Sequence, residues 1–335
     1  MTQRFPRKHH ALSVAALAAL GTLMSSTPVL AQAQGQPQTS SESRTVAAPA
    51  PQMRTRLLTS LTGYEVSEYL KRNDVIFVPV GPTEVNGGSP TDVEYVIPLA
   101  YAMEMAEEGD GLVLPYLAYF YPGGTTSSPA TVYMSTSDTL PFLKALTRSL
   151  IRQGFRRIVF LTSHGPSGNT MLPLVRETFD EYHVPVLWMG TDLVRAPTPP
   201  GQPAPGFGGG GPANGRQLVT FGAYQMVGRL EDIPVGLSEP ERQFERDPSN
   251  LSRWVPPTAG TPAGNFIADP SEHGGYVRPI TAEQRAEWGR DGAAYIQSQV
   301  DAFDVNGMLN ALRQRDEFTK ELERKYGDLL PAAGR

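Results

Sequence analysis

Glu84, Asp92 and His164 are the side chains of this sequence whose types and settings suit chemistry on a metal ion. Each lies in a turn-rich loop after an apolar run: Glu84 and Asp92 in GPTEVNGGSPTD, His164 in TSHGPSGN. Glycine lets a backbone come close to an ion, and carboxylate oxygens are hard ligands for divalent cations. Two carboxylates and one imidazole suit Mn²⁺ or Zn²⁺, with positions left open for water. The same residues also suit N-caps and turn hydrogen bonds, and that reading stands beside the first. A second candidate pair is Glu272 and His273 in DPSEHGGY. His273 could act as a general acid, or be a loop histidine with one structural hydrogen bond. His183, in EYHVPV, falls in a helix-to-strand turn and reads as a surface residue. Ser167 and Asn169 read as caps for the helix that follows them.

These residues need a scaffold that brings distant loops together. Residues 75–80, VIFVPV, are an unbroken β-branched and aromatic run and read as a buried strand. Further strands are expected at 112–117, 131–134, 158–161 and 184–189. Helices are expected at 65–71, 95–108 and 170–182, and between an N-cap at Ser137 and a stop at Gly154. Later helices are expected at 221–230, 281–303 and 309–326. Strands alternating with helices predict a three-layer α/β fold with a mostly parallel central sheet flanked by helices. In such a sheet the loops at the carboxyl ends of strands converge, so residues far apart in sequence can meet. Residues 196–215 are Pro/Gly low-complexity sequence and read as a loop or lid; 238–263 carry no assignable pattern.

The ends and the composition narrow the function. Arg4, Arg7 and Lys8 precede an apolar stretch, 11–24, and small residues follow at Ala31 and Ala33. This is the pattern of a cleavable export signal over 1–33, too short for a membrane span. Residues 34–52 read as a disordered linker and 53–330 as one α/β domain. The formal net charge of -5 gives no electrostatic case for nucleic acid. The absence of cysteine excludes thiol nucleophiles, thiolate zinc sites and iron–sulfur clusters.

A buried strand, then G-x-T-E-x-x-G, then T-D, resembles the creatininase (creatinine amidohydrolase) family. That family's version reads approximately G-S-T-E-Q-H-G-P-H-L-P-L-G-T-D; the match falls on Gly81, Thr83, Glu84, Gly87, Thr91 and Asp92. The order helix, GFRR, apolar strand and His-Gly loop around His164 is also family-like, as is Ser128-Pro129-Ala130-Thr131 beside the family's F-P-G-T. The resemblance implies a two-metal amidohydrolase opening an amide or lactam of a small molecule. Asp92 would bridge the ions, Glu84 and His164 would hold one of them, and the ions would stabilise the tetrahedral oxyanion. Glu272 and His273 resemble the family's pair beside the substrate. The resemblance also implies a closed homo-oligomer, often a hexamer.

Departures from the pattern fall on the second ion. Asn86 stands where the family has a metal-binding His, and Pro166 where it has a Glu near the second His. A later motif, H-A-G-x-x-E, falls either on His273-Gly274-Gly275 with Arg278 in place of its Glu, or near Phe221-Gly222-Ala223 without either ligand. One Zn²⁺ or Mn²⁺ is therefore expected rather than two, with Asn86 a weak ligand. Should two ions bind tightly, Glu272 or Glu94 would have replaced the family ligands. Three functions stay open: a C–N hydrolase, a single-metal hydrolase of an ester, lactone or carbohydrate, and a small-molecule binding protein without turnover.

Overall fold

The apolar run at 75–80 becomes strand β1 (Val75–Pro79), buried at every position. It lies in a four-stranded sheet of order β2-β1-β3-β4, with β2 at Leu112–Val113, β3 at Arg157–Thr162 and β4 at Leu187–Gly190. All three pairings are parallel, and the longest joins β1 to β3, from Val75↔Arg157 to Pro79↔Leu161. This computed structural model describes residues 53–196, 215–238, 249, 253, 264–267, 272–273 and 279–330. The expected leader and linker, nearly all of the 196–215 loop and most of 238–263, including Trp254, lie outside the described residues.

Because side chains alternate across a strand, β1 and β3 each feed two cores. Val75, Phe77, Val159 and Leu161 pack under helices α2 (Val93–Glu108), α5 (Gly215–Met226), α6 (Ala282–Ala302) and α7 (Val305–Tyr326). Ile76, Val78, Ile158 and Phe160 pack under α1 (Gly63–Leu70), α3 (Thr136–Gln153) and α4 (Gly168–Tyr182). The result is the expected three-layer α/β sandwich. Strand residues with polar neighbours on neither face explain why the sequence runs are continuous rather than alternating.

Local chemistry fixes the helix starts. Thr62 with Glu65, Ser135 with Asp138 and Thr281 with Gln284 each form a reciprocal capping box. Ser135, not Ser137, therefore caps α3, because only Ser135 has an acid three residues on. Gly154 closes α3 in the left-handed conformation at φ 110. On the other face, α5 and α6 cross at two glycines. A Cβ on Gly222 would stand 2.1 Å from the backbone of Gly292, so neither position admits a side chain.

Three expected strands differ. The 112–117 run is a strand only over Leu112–Val113 and returns as a single bridge from Leu117 to Val80, since Pro115 offers no N–H and Tyr116 sits at φ 75. Residues 131–134 join no strand; Val132 N–H donates one bond to the Thr83 carbonyl at 2.9 Å. The last strand begins at Leu187, beyond Pro185. No helix among the described residues is long and apolar enough to cross a membrane.

Candidate metal centre

The sheet order reverses between β1 and β3, and the crevice at their carboxyl ends is where open α/β sheets hold ligands. Glu84 leaves the end of β1, and His164 leaves the end of β3. Both are buried. A third carboxylate arrives from the first turn of α2: Glu94 is 4% exposed, at a helix start whose dipole favours negative charge. Potential ligand atoms of Glu84, Glu94 and His164 all lie within 4.8 Å of one another.

His164 sits between the two acids. Its Nδ1 hydrogen-bonds Glu94 Oε2 and stands 3.2 Å from Glu84 Oε1. Burial lowers the imidazole pKa, but the two carboxylates outweigh it and raise it to about 10. Burial pushes the Glu84 carboxyl above the usual range, and Glu94 adds to this while the His164 hydrogen bond opposes it. The Thr125 hydroxyl donates to Glu84 Oε2. His164 Nε2 is buried and has no hydrogen-bond partner among the described residues.

A cleft of about 300 Å³ opens at this cluster. Glu94, Thr125, Ser163, His164 and His273 supply its polar lining, and Pro122, Pro166 and Ile267 much of its apolar lining. His273 Nδ1 lies 2.7 Å from the carbonyl of Val85; a carbonyl only accepts, so this nitrogen carries the proton. Glu272 is exposed and does not line the cleft. Asn86 is buried on the Glu84 loop and is likewise absent from the lining.

Asp92 goes elsewhere. It occupies the N-cap position of α2, and its two oxygens accept from Tyr224 Oη and from a guanidinium nitrogen of Arg229, each at 2.6 Å. Asp92 thus stands with a phenol and a cation, while Glu94 stands with Glu84 and His164. Burial and the Asp92 carboxylate hold the Tyr224 phenol well above its ordinary pKa. The helix explains the separation: residues two apart point about 200° apart around the axis. The signal for Glu94 in the sequence is that it is the one acid in the apolar first half of α2, and such an acid must find a partner when buried.

Two further expectations change. The Ser167 hydroxyl caps nothing; it donates to the His164 carbonyl at 2.7 Å and lies 3.0 Å from Thr162 Oγ1, folding the loop back on β3. His183 is 9% exposed rather than a surface residue. It takes the left-handed conformation that ends α4, at φ 53, and hydrogen-bonds Glu323 of α7.

The donor set fits a divalent ion. Two carboxylates and an imidazole are the ligand types that Zn²⁺ and Mn²⁺ accept, and a buried imidazole nitrogen without a partner is an open donor.

Residues 59–211 match the family model for creatinine amidohydrolase (creatininase). Helices α5 to α7 and His273 lie beyond the matched range. No curated protein matches the chain. Among solved structures, a creatinine amidohydrolase (creatininase) is 21% identical, covering 78% of this chain and 98% of its own, with TM-score 0.50. A creatininase point variant of the zinc–zinc type is 20% identical over the same shares, also at 0.50. A Bacteroides fragilis NCTC 9343 protein assigned to the creatinine amidohydrolases is 18% identical, covering 79% of this chain and 98% of its own, at 0.51. At these identities the likeness is one of fold.

Proposed function

We propose that this chain, which belongs to the creatininase family through residues 59–211, is a metal-dependent hydrolase of a C–N bond in a small amide or lactam. The observation that carries the reading is the buried Glu84–Glu94–His164 group at the edge of a cleft. Glu84, Glu94 and His164 would hold one Zn²⁺ or Mn²⁺. Such an ion supplies Lewis-acid chemistry, activating water and polarising the carbonyl.

The chain's own residues do the rest. The two carboxylates give the buried pocket the negative charge that a divalent ion offsets. His273, with Nδ1–H fixed on the Val85 carbonyl, keeps a free Nε2 that would take a proton from the attacking water and pass it to the leaving nitrogen. Pro122, Pro166 and Ile267 exclude water from part of the cleft, whose small volume suits a small molecule. Asp92 is not counted in this ligand set: Tyr224 and Arg229 engage its two oxygens, and its cluster lies apart from Glu84 and His164.

Metal analysis of purified protein, followed by hydrolysis assays on amides, lactams, esters and lactones, tests this reading. About one ion per chain and metal-dependent release of an amine support it. Turnover of esters or lactones alone moves the reading to the single-metal alternative, and no ion under any loading condition leaves a binding protein. We further propose that the chain is exported with cleavage near Ala31 or Ala33, and assembles as a homo-oligomer. Intact mass of the periplasmic protein and light scattering test these; Met1 retained, or a monomer, refutes the respective statement.

A further inference from the structure

We infer that Thr125 is a positioning residue that aims Glu84 at the ion, an inference that rests on the metal reading above. The backbone of Glu84 is held on both sides: its N–H donates to the Thr91 carbonyl at 2.9 Å, and the next N–H, of Val85, donates to Thr131 Oγ1 at 3.2 Å. What remains is the side chain, whose Oε2 is held by the Thr125 hydroxyl while Oε1 faces His164. That bond leaves Oε1 turned to His164, 3.2 Å from Nδ1.

Thr125 is itself built into place. It is 1% exposed, on a 3-10 turn, Gly123–Ser127. The turn is pressed against the His164 loop: a Cβ on Gly123, which sits at φ 70, would meet Pro166 at 2.7 Å. The same turn holds the 264–267 segment, whose Ile267 N–H donates to the Gly124 carbonyl at 2.8 Å. The single hydroxyl proton has two acceptors in reach, Glu84 Oε2 and, at 3.1 Å, the Pro122 carbonyl. The carboxylate is the stronger acceptor and takes it. A hydroxyl that orients a ligating carboxylate typically changes metal affinity by about 10–100-fold when removed.

The test compares Thr125→Val, Thr125→Ala and Thr125→Ser by competitive titration with Zn²⁺ and Mn²⁺ after chelation, alongside melting of each metal-free protein. Val and Ala should weaken the ion at least about tenfold, while Ser, which keeps the hydroxyl, should bind within about threefold of the parent. Parent-like affinity in the Val and Ala variants overturns the inference, as does equal weakening in Ser, which would assign the effect to packing. Should Val fail to fold, Ala and Ser decide. A parent that binds neither ion rejects the metal reading itself, an outcome distinct from a parent that binds and variants that do not differ.

Discussion

Two clusters take acids only two residues apart at the start of α2, and they treat them in opposite ways. Asp92 meets Arg229 and Tyr224, so a protein cation pairs with its charge and a neutral donor engages its other oxygen. Glu94 meets Glu84 and a single imidazole, so two buried carboxylates share one proton-borne charge. The first arrangement is complete as it stands. The second sets two buried carboxylates beside one imidazole at a cleft, where a divalent ion would offset their charge. The lesson is that two acids at one helix start can stand in opposite electrostatic settings, decided by the charges that other elements bring to them.

The comparison breaks most visibly on ion binding. His164→Ala should lower affinity for Zn²⁺ or Mn²⁺ by roughly a hundredfold or more, since it removes one of three donors, whereas Asp92→Ala should leave it within about threefold. Isothermal titration of both variants decides; a loss in Asp92→Ala as large as in His164→Ala would erase the distinction.

The Asp92 cluster should instead govern stability. Gly292→Ala forces a Cβ to within 2.0 Å of the Leu218 carbonyl oxygen at the α5–α6 crossing, which carries Tyr224 into place. Overpacking of this kind costs about 1–3 kcal/mol, read by urea unfolding, while the folded fraction should keep its ion affinity. Unchanged stability would mean that the crossing yields more freely than two backbone contacts allow.

Acidity sharpens the contrast from the other side. The His164 imidazole titrates near about 10 when folded against an ordinary 6.5. A raised pKa means that the bound proton stabilises the fold fully below about 6.5, and that this contribution is lost as pH rises toward 10. The raised Glu84 carboxyl acts in the same direction. An ion needs the unprotonated ring, so Mn²⁺ affinity should climb by about a hundredfold between pH 6.5 and 8.5, and the metal-free protein should lose stability over the same window. Mn²⁺ affinity that is flat with pH contradicts the shared-proton description.

The smallest effect belongs to Tyr224→Phe. It removes one hydrogen bond to Asp92 in a buried setting, about 1–2 kcal/mol of stability. Thermal melting should show the loss and titration should show none; loss of ion affinity in this variant would tie the two clusters together.

The sequence made the sheet legible where apolar runs were unbroken, as in β1 and β3, because burial on both faces leaves no other pattern. It overran at 112–117 and 184–189, where Pro115 and Pro185 sit inside runs that look continuous by hydropathy but cannot pair throughout. Glu84 and His164 were legible as strand-end residues of the same sheet edge. Glu94 entered only as a replacement ligand, since a loop-based reading passes over an acid inside a helix. The partners of Asp92 were hidden because Tyr224 and Arg229 come from α5 and just beyond it, and nothing local marks that contact.

The pairing of Val75 with Arg157 has a kinetic consequence. Glu84 and His164 belong to strands that meet only after the whole β1-to-β3 crossover has collapsed, and such nonlocal parallel pairings form late and slowly. The donor set therefore has no local precursor in the nascent chain. Any ligand that needs both residues selects chains that have finished this step and stabilises them by mass action, so its uptake during refolding would time the closure of the sheet.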